Sequence, residues 1–152
     1  MSGSIFVDLT SRDPPRVIRG MWGLVMLRDA AVLDALAAAL PVIERATQGL
    51  ELGGIAYSND KTLAFALRKL AYHRDRAGCL CGLYPELLLY DPEREADAGN
   101  VRILETRYVD DKWLDSYRCE CTLCGTRFHV QHGEAHASWW AWSPLQRESA
   151  SP

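Results

Sequence analysis

The sequence predicts an α+β fold, with N-terminal helices packed on a C-terminal antiparallel sheet that carries a zinc-knuckle-like cysteine site. Three observations point there. Apolar residues recur at helical spacing in the first half, at Val32, Leu33, Leu36, Ala37 and Leu40 and again at Leu63, Leu67, Leu70 and Ala71. From Val101 onward the pattern shifts to residues that suit a pleated surface. Four of the five cysteines form two close pairs, Cys79-Leu-Cys81-Gly82 and Cys121-Thr-Leu-Cys124-Gly125.

The elements follow in order. Ser4-Ile5-Phe6-Val7 reads as a short strand, and Asp13-Pro14-Pro15 breaks it. Val17 to Leu27 is apolar but interrupted by glycine and tryptophan, and its pattern specifies no element; Gly20 and Gly23 match no functional motif. Asp29 is placed to cap the first helix, because its carboxylate can accept from an otherwise unpaired amide of the opening turn. Pro41 ends or kinks that helix and can begin another over Pro41 to Thr47. Asn59 or Asp60 caps the second main helix. Arg68, Lys69, His73, Arg74 and Arg76 gather near its end, where cations favour the helix dipole.

Beyond Cys79 the reading is of strands. Leu87 to Tyr90 is a short apolar run, and Asp91 to Asn100 a polar loop. Val101 to Val109 and Trp113 to Cys121 read as strands. Thr126 to Val130 and Ala137 to Trp142 read as the arms of a hairpin closed over Gly133. A single domain is expected over residues 1–145, with a flexible tail over 146–152.

Composition excludes several classes. A net charge of −3 argues against a general binder of phosphate backbones. No basic-then-apolar leader opens the chain, and its longest apolar stretch falls well short of the roughly 20 residues of a membrane span. A cytoplasmic protein with no membrane partner is expected, and in a reducing compartment paired cysteines are metal ligands more often than disulfides. No nucleophile motif, phosphate-cradling loop or dinucleotide fingerprint is present, so no enzyme is expected.

Two short turns that each aim two thiolates at one point are how a chain builds a tetrahedral zinc site. Cys121-x-x-Cys124 has the standard spacing, and Cys79-x-Cys81 is one residue tighter. Cys79, Cys81, Cys121 and Cys124 are therefore the expected ligands of a structural Zn2+. Cys119 lies two residues before Cys121, on the same face of a strand, and is either a substitute ligand or a buried thiol beside the site. Four thiolates leave no coordination position for water, so such a zinc organises the fold and does no chemistry. His129, His132 and His136 with Glu134 form a second candidate cluster, but their spacing falls across a turn.

Acidic residues are grouped. Glu86, Asp91, Glu93, Glu95 and Asp97 oppose only Arg94, and Asp110, Asp111 and Asp115 surround Lys112. Such runs are most often solvated loops; as a functional surface they suit a basic partner. On a strand, Trp139 points away from Trp140 and Trp142. If exposed, it is the kind of aromatic anchor that interfaces use. Asp110, Asp111, Asp115 and Trp139 are the expected partner contacts.

The segment from Tyr117-Arg118-Cys119-Glu120-Cys121-Thr122-Leu123-Cys124-Gly125 to Trp139-Trp140-Ala141-Trp142 resembles bacterial immunity proteins of polymorphic toxin systems. These small cytosolic proteins neutralise a cognate toxin delivered by contact-dependent or type VI secretion. The resemblance covers the last quarter of the chain. It implies a non-enzymatic inhibitor that occludes the active site of a cognate protein toxin, and it transfers no contact residue. A knuckle followed by an aromatic strand also occurs in zinc ribbons. The alternative is therefore a zinc-ribbon nucleic-acid or transcription-associated module, which the acidic balance disfavours.

Overall fold

The computed structural model describes residues 2–55, 57–110 and 113–146. Helices come first and a four-stranded antiparallel sheet follows, as the sequence patterns require. The chain divides into two compact units, residues 1–80 and 81–152. No helix among the described residues is long and apolar enough to cross a membrane.

The first unit is helical: α1 (Ser2–Leu9), α2 (Pro14–Met26), α3 (Ala30–Ala38), α4 (Leu40–Thr47) and α5 (Asn59–Arg74). Its core includes Leu9, Val17, Met21, Leu24, Leu33, Ile43 and Leu70, all fully buried. The expected strand at Ser4 to Val7 is instead part of α1. Packing overrides β-propensity there, because Ile5 and Leu9 meet α2 across Gly20 and Gly23. A methyl group on Gly20 would lie 3.0 Å from the Asp8 Cβ and 3.2 Å from the Ile5 carbonyl oxygen, so glycine is what lets the two helices approach.

Pro14 does more than break the chain: it occupies the first turn of α2, where proline lacks only a donor that would be unpaired anyway. Asp29 caps α3 as expected, accepting from the Val32 amide at 3.0 Å. The cap of α5 is Ser58, which accepts from the Lys61 amide at 3.3 Å. Asn59 and Asp60 hold the preceding loop instead: the Asn59 amide donates to the Leu52 carbonyl, and Asp60 accepts from the Leu52 amide.

Two charged groups are built into this core. The Asp8 carboxylate is buried and takes two 2.8 Å bonds from Arg19 and a 3.3 Å bond from Arg16. Lys69 faces inward rather than joining a solvated basic helix end. Its ammonium donates to the carbonyls of Leu24, Val25 and Leu27 at 3.0, 2.8 and 2.6 Å. Those carbonyls lie at the C-terminal end of α2, where the Leu24 carbonyl also accepts from the Leu27 amide at 3.2 Å.

The second unit begins in a 3-10 helix (Leu80–Glu86) and continues through α6 (Pro92–Asp97) to β1 (Val101–Val109), β2 (Trp113–Cys121), β3 (Arg127–Glu134) and β4 (Ser138–Pro144). Neighbouring strands pair in sequence order, β1-β2-β3-β4. The run Leu87 to Tyr90 is not a strand. It leaves the 3-10 helix as a turn and lends β4 two acceptors: Leu88 to the Trp140 amide and Tyr90 to the Trp142 indole, at 2.9 and 2.8 Å. The stretch read as a polar loop contains α6. Asp91 is its N-cap, and Glu95 is buried, accepting from the Tyr84 hydroxyl at 2.5 Å and Asn100 at 3.0 Å.

The hairpin of β3 and β4 is longer than the sequence suggests and turns at Ala135 to Ala137, with Gly133 inside β3. Gly133 pairs with Trp139, whose indole lies where a Cβ on Gly133 would sit. β1 and β2 pair with two register shifts, one at Leu104 and one between Arg107 and Tyr108. One sheet face supplies the core: Tyr117, Cys119, Phe128, Val130 and Trp142 are all buried. Tyr84 of the 3-10 helix covers them. Its ring stacks on Trp142 at 4.2 Å and meets Phe128 and Tyr90 edge-on at 5.8 and 4.9 Å.

Candidate metal centre

The cysteine pairs are placed by two local turns. Cys81 sits in the first turn of the 3-10 helix, with Cys79 two residues before it. Cys121 ends β2, and Cys124 closes the turn into β3. Gly125 takes a left-handed φ of 77°, which a side chain would strain, and donates its amide to the Cys121 carbonyl at 3.0 Å. The Cys121 amide donates to the Thr126 carbonyl at 2.8 Å. The Thr122 amide and hydroxyl are bonded to the carbonyls of Gly99 and Asn100, so the turn is anchored to the connection between α6 and β1. Gly82, in contrast, lies inside the 3-10 helix and makes no comparable turn.

The result is a cluster of four sulfurs. Those of Cys79, Cys81, Cys121 and Cys124 all lie within 4.8 Å of one another, with Cys81 and Cys124 at 3.4 Å. A tetrahedral zinc with bonds of about 2.3 Å sets its thiolates roughly 3.8 Å apart, so this donor set can close on an ion with little rearrangement. The cysteines carry no disulfide. Cys81 and Cys121 are buried, Cys79 half-buried and Cys124 exposed.

Electrostatics at Cys124 favour the thiolate that a metal needs. Burial opposes ionisation, but hydrogen bonds from the Thr126 hydroxyl and backbone and from Cys81 and Cys121 outweigh it, and the thiol is lowered to about 6. The Thr126 hydroxyl lies 3.1 Å from its sulfur. Cys119 behaves in the opposite way. It is fully buried opposite Phe128, lies outside the cluster, and burial pushes its thiol up to about 12. It packs as a small apolar side chain, which separates the two readings left open by its position in the sequence.

The histidines do not assemble. His129 is exposed and pairs with Ser143, His132 is half-buried beside Trp140, and His136 is exposed in the hairpin turn. Among the described residues, the four cysteines form the one group of metal-ligating side chains that converges.

The expected partner contacts are dispersed in role. Asp110 is exposed, at a left-handed φ of 53° after β1. Asp115 is engaged internally, where its backbone carbonyl and carboxylate accept from Gln131 at 2.9 and 3.3 Å. Trp139 is half-buried across Gly133, and Asp111 lies outside the described residues, as do positions 147–152 of the expected tail. Exposed aromatic surface occurs instead at Tyr108 and Trp113, 57% and 73% accessible, with Val109 between them in sequence. The signal for these was available, since both lie at the ends of strands beside Asp110, but an alternating strand pattern does not reveal which face is covered.

No protein-family model, curated protein or solved structure matches the chain.

Proposed function

We propose that the chain is a non-enzymatic binding protein fastened by zinc on Cys79, Cys81, Cys121 and Cys124, and that it serves in the cytoplasm as an immunity protein against a cognate bacterial toxin. The convergence of four sulfurs within 4.8 Å carries the reading. Four thiolates saturate a tetrahedral ion and leave no position for a reacting water, which fits a fastener and not a catalyst. Zinc fits this donor set because thiolate is its preferred ligand in closed sites.

The binding role is supported by the end of the β1–β2 hairpin. Tyr108, Val109 and Trp113 are exposed, as is Asp110, which follows Val109 in the chain, a combination of aromatic anchor and negative charge suited to a basic protein surface. Inhibition would then be steric: the hairpin covers the catalytic cleft of the partner.

Two measurements test the two parts. Metal analysis of the purified protein should find one zinc per chain, and a chain that never takes up zinc rejects the fastener. Mixing with the product of the adjacent gene should give a one-to-one complex with loss of that product's activity. Absence of a complex, or steeply salt-dependent binding to nucleic acid in its place, rejects the immunity reading.

A further inference from the structure

The sheet of the second unit has a second feature at the end opposite the cysteines. β2 runs from Cys121 at the metal centre to Trp113 at its far end, and there the covered face opens into a cavity of about 540 Å3. Its aromatic lining is Trp113, Tyr117 and Trp140. Among the described residues its charged lining is Asp91, Glu93 and Glu134, with no lysine or arginine, and His132 is the one lining group able to carry positive charge.

The walls are held in place. Trp140 is fixed by its backbone bond to Leu88, and His132 pairs with it across β3 and β4, with ring centroids 5.8 Å apart. Tyr117 is buried and shares the cavity wall with Glu93 and Asp91. Burial first, then the negative charges of Glu93 and Asp91, hold that phenol far above its ordinary value, a sign of the negative field inside the cavity. The buried indole Nε1 of Trp140 has no hydrogen-bond partner among the described residues. Rim charge also remains available: Glu93 and Glu134 are both exposed.

From this geometry we infer that the cavity is a binding site for a weakly hydrated organic cation, a guanidinium or a methylated ammonium. Aromatic faces attract such a head through their quadrupoles, and the carboxylates add charge attraction that a neutral ligand of the same shape does not feel. A compact metal ion is a poorer occupant, because among the described residues the cavity's carboxylates do not converge into a group of ligands. The head group has two sources, a free small molecule or the arginine side chain of a protein. The inference does not depend on the immunity role or on the metal.

The test uses charged and neutral twins with the full-length, zinc-supplemented protein. Choline is compared with 3,3-dimethylbutan-1-ol, and methylguanidinium with methylurea, by NMR titration of the indole N–H signals. At least one cation should saturate shifts of the Trp113 and Trp140 signals and bind about fivefold or more tighter than its twin. Preference for choline assigns a small-molecule source, and preference for methylguanidinium assigns an arginine side chain. Both exposed positions allow clean variants: Trp113→Ala and Glu93→Gln should each weaken the cation by several-fold, with thermal melting unchanged. Equal affinity for charged and neutral twins, or cation binding that neither variant alters, overturns the site.

Discussion

The two units of this chain solve the same problem by different means. The helical unit of residues 1–80 buries a continuous set of aliphatic side chains and inserts two charged groups, Asp8 and Lys69, that are fully supplied with partners. The sheet unit of residues 81–152 has a thinner core dominated by the rings of Tyr84, Phe128 and Trp142, together with three of the four convergent cysteines, Cys81, Cys121 and Cys124. A unit of this size has a high ratio of surface to volume, and small domains commonly make up the shortfall with a metal or a crosslink. The lesson is that the clustered cysteines gather where the aliphatic core is smaller, and the helical unit contributes only Cys79, at its very end.

The largest expected effect comes from the fastener. Structural zinc in small domains contributes on the order of 10–16 kcal/mol of apparent free energy. Chelation, or Cys121→Ser, should abolish the near-ultraviolet dichroism of the Tyr84–Trp142 stack while leaving most of the helical far-ultraviolet signal. Simultaneous loss of both signals would break the comparison, because the units would then share one unfolding transition.

Next in size is the ring cluster. Trp142→Ala removes a stacked, buried indole and its bond to Tyr90, and should cost about 3–5 kcal/mol, measured by denaturant unfolding of the zinc-loaded protein. A cost below about 1 kcal/mol would mean that the metal alone holds the sheet unit. In the helical unit, Lys69→Ala removes three buried hydrogen bonds to backbone carbonyls and should cost about 3 kcal/mol. Its loss should be read in the helical signal, and an equal effect on the aromatic signal would argue against separate behaviour.

The smallest effect is that of Asp8. Hydrogen bonds from Arg19, opposed by burial and aided by Arg16, lower its carboxyl to about 2. An unfolded aspartate titrates near about 3.9. The folded state therefore holds the proton less tightly, and the ion pair stabilises fully above the unfolded value. That contribution fades as pH falls from about 4 towards about 2. Asp8→Asn should lower the melting temperature at neutral pH, and the gap to the parent should close over that acid window. A gap that persists unchanged at pH about 2 would assign the loss to packing rather than charge.

Much of this division could be read in the sequence. Helical spacing located α3 and α5, alternation located β1 and β2, and the pairing of cysteines located the sulfur cluster. Local propensity failed where long-range packing decides. Ser4 to Val7 looks extended until Gly20 and Gly23 supply a surface for it to cross as a helix. Lys69 looks like an end-of-helix cation until α2 presents its carbonyls, 42 to 45 positions away. Glu95 looks solvated until Tyr84 reaches it from a 3-10 helix that no periodicity announces. In the cavity, Trp113 and Tyr117 share one face of β2, and only the strand register brings Trp140 of β4 to join them.

The irregular pairing of β1 bears on a different hazard. β1 is an edge of the sheet, and a straight edge strand invites the strand of another molecule to extend it. Here two register shifts interrupt the edge, at Leu104 and before Tyr108. Exposed Arg102, Glu105 and Arg107 place alternating charge along it. A second copy arriving edge-to-edge would find neither a regular ladder nor a neutral face. The strand that ends in exposed Tyr108 and Val109 can thus display apolar side chains at high concentration without seeding a growing sheet, a safeguard located in backbone geometry rather than in solubility.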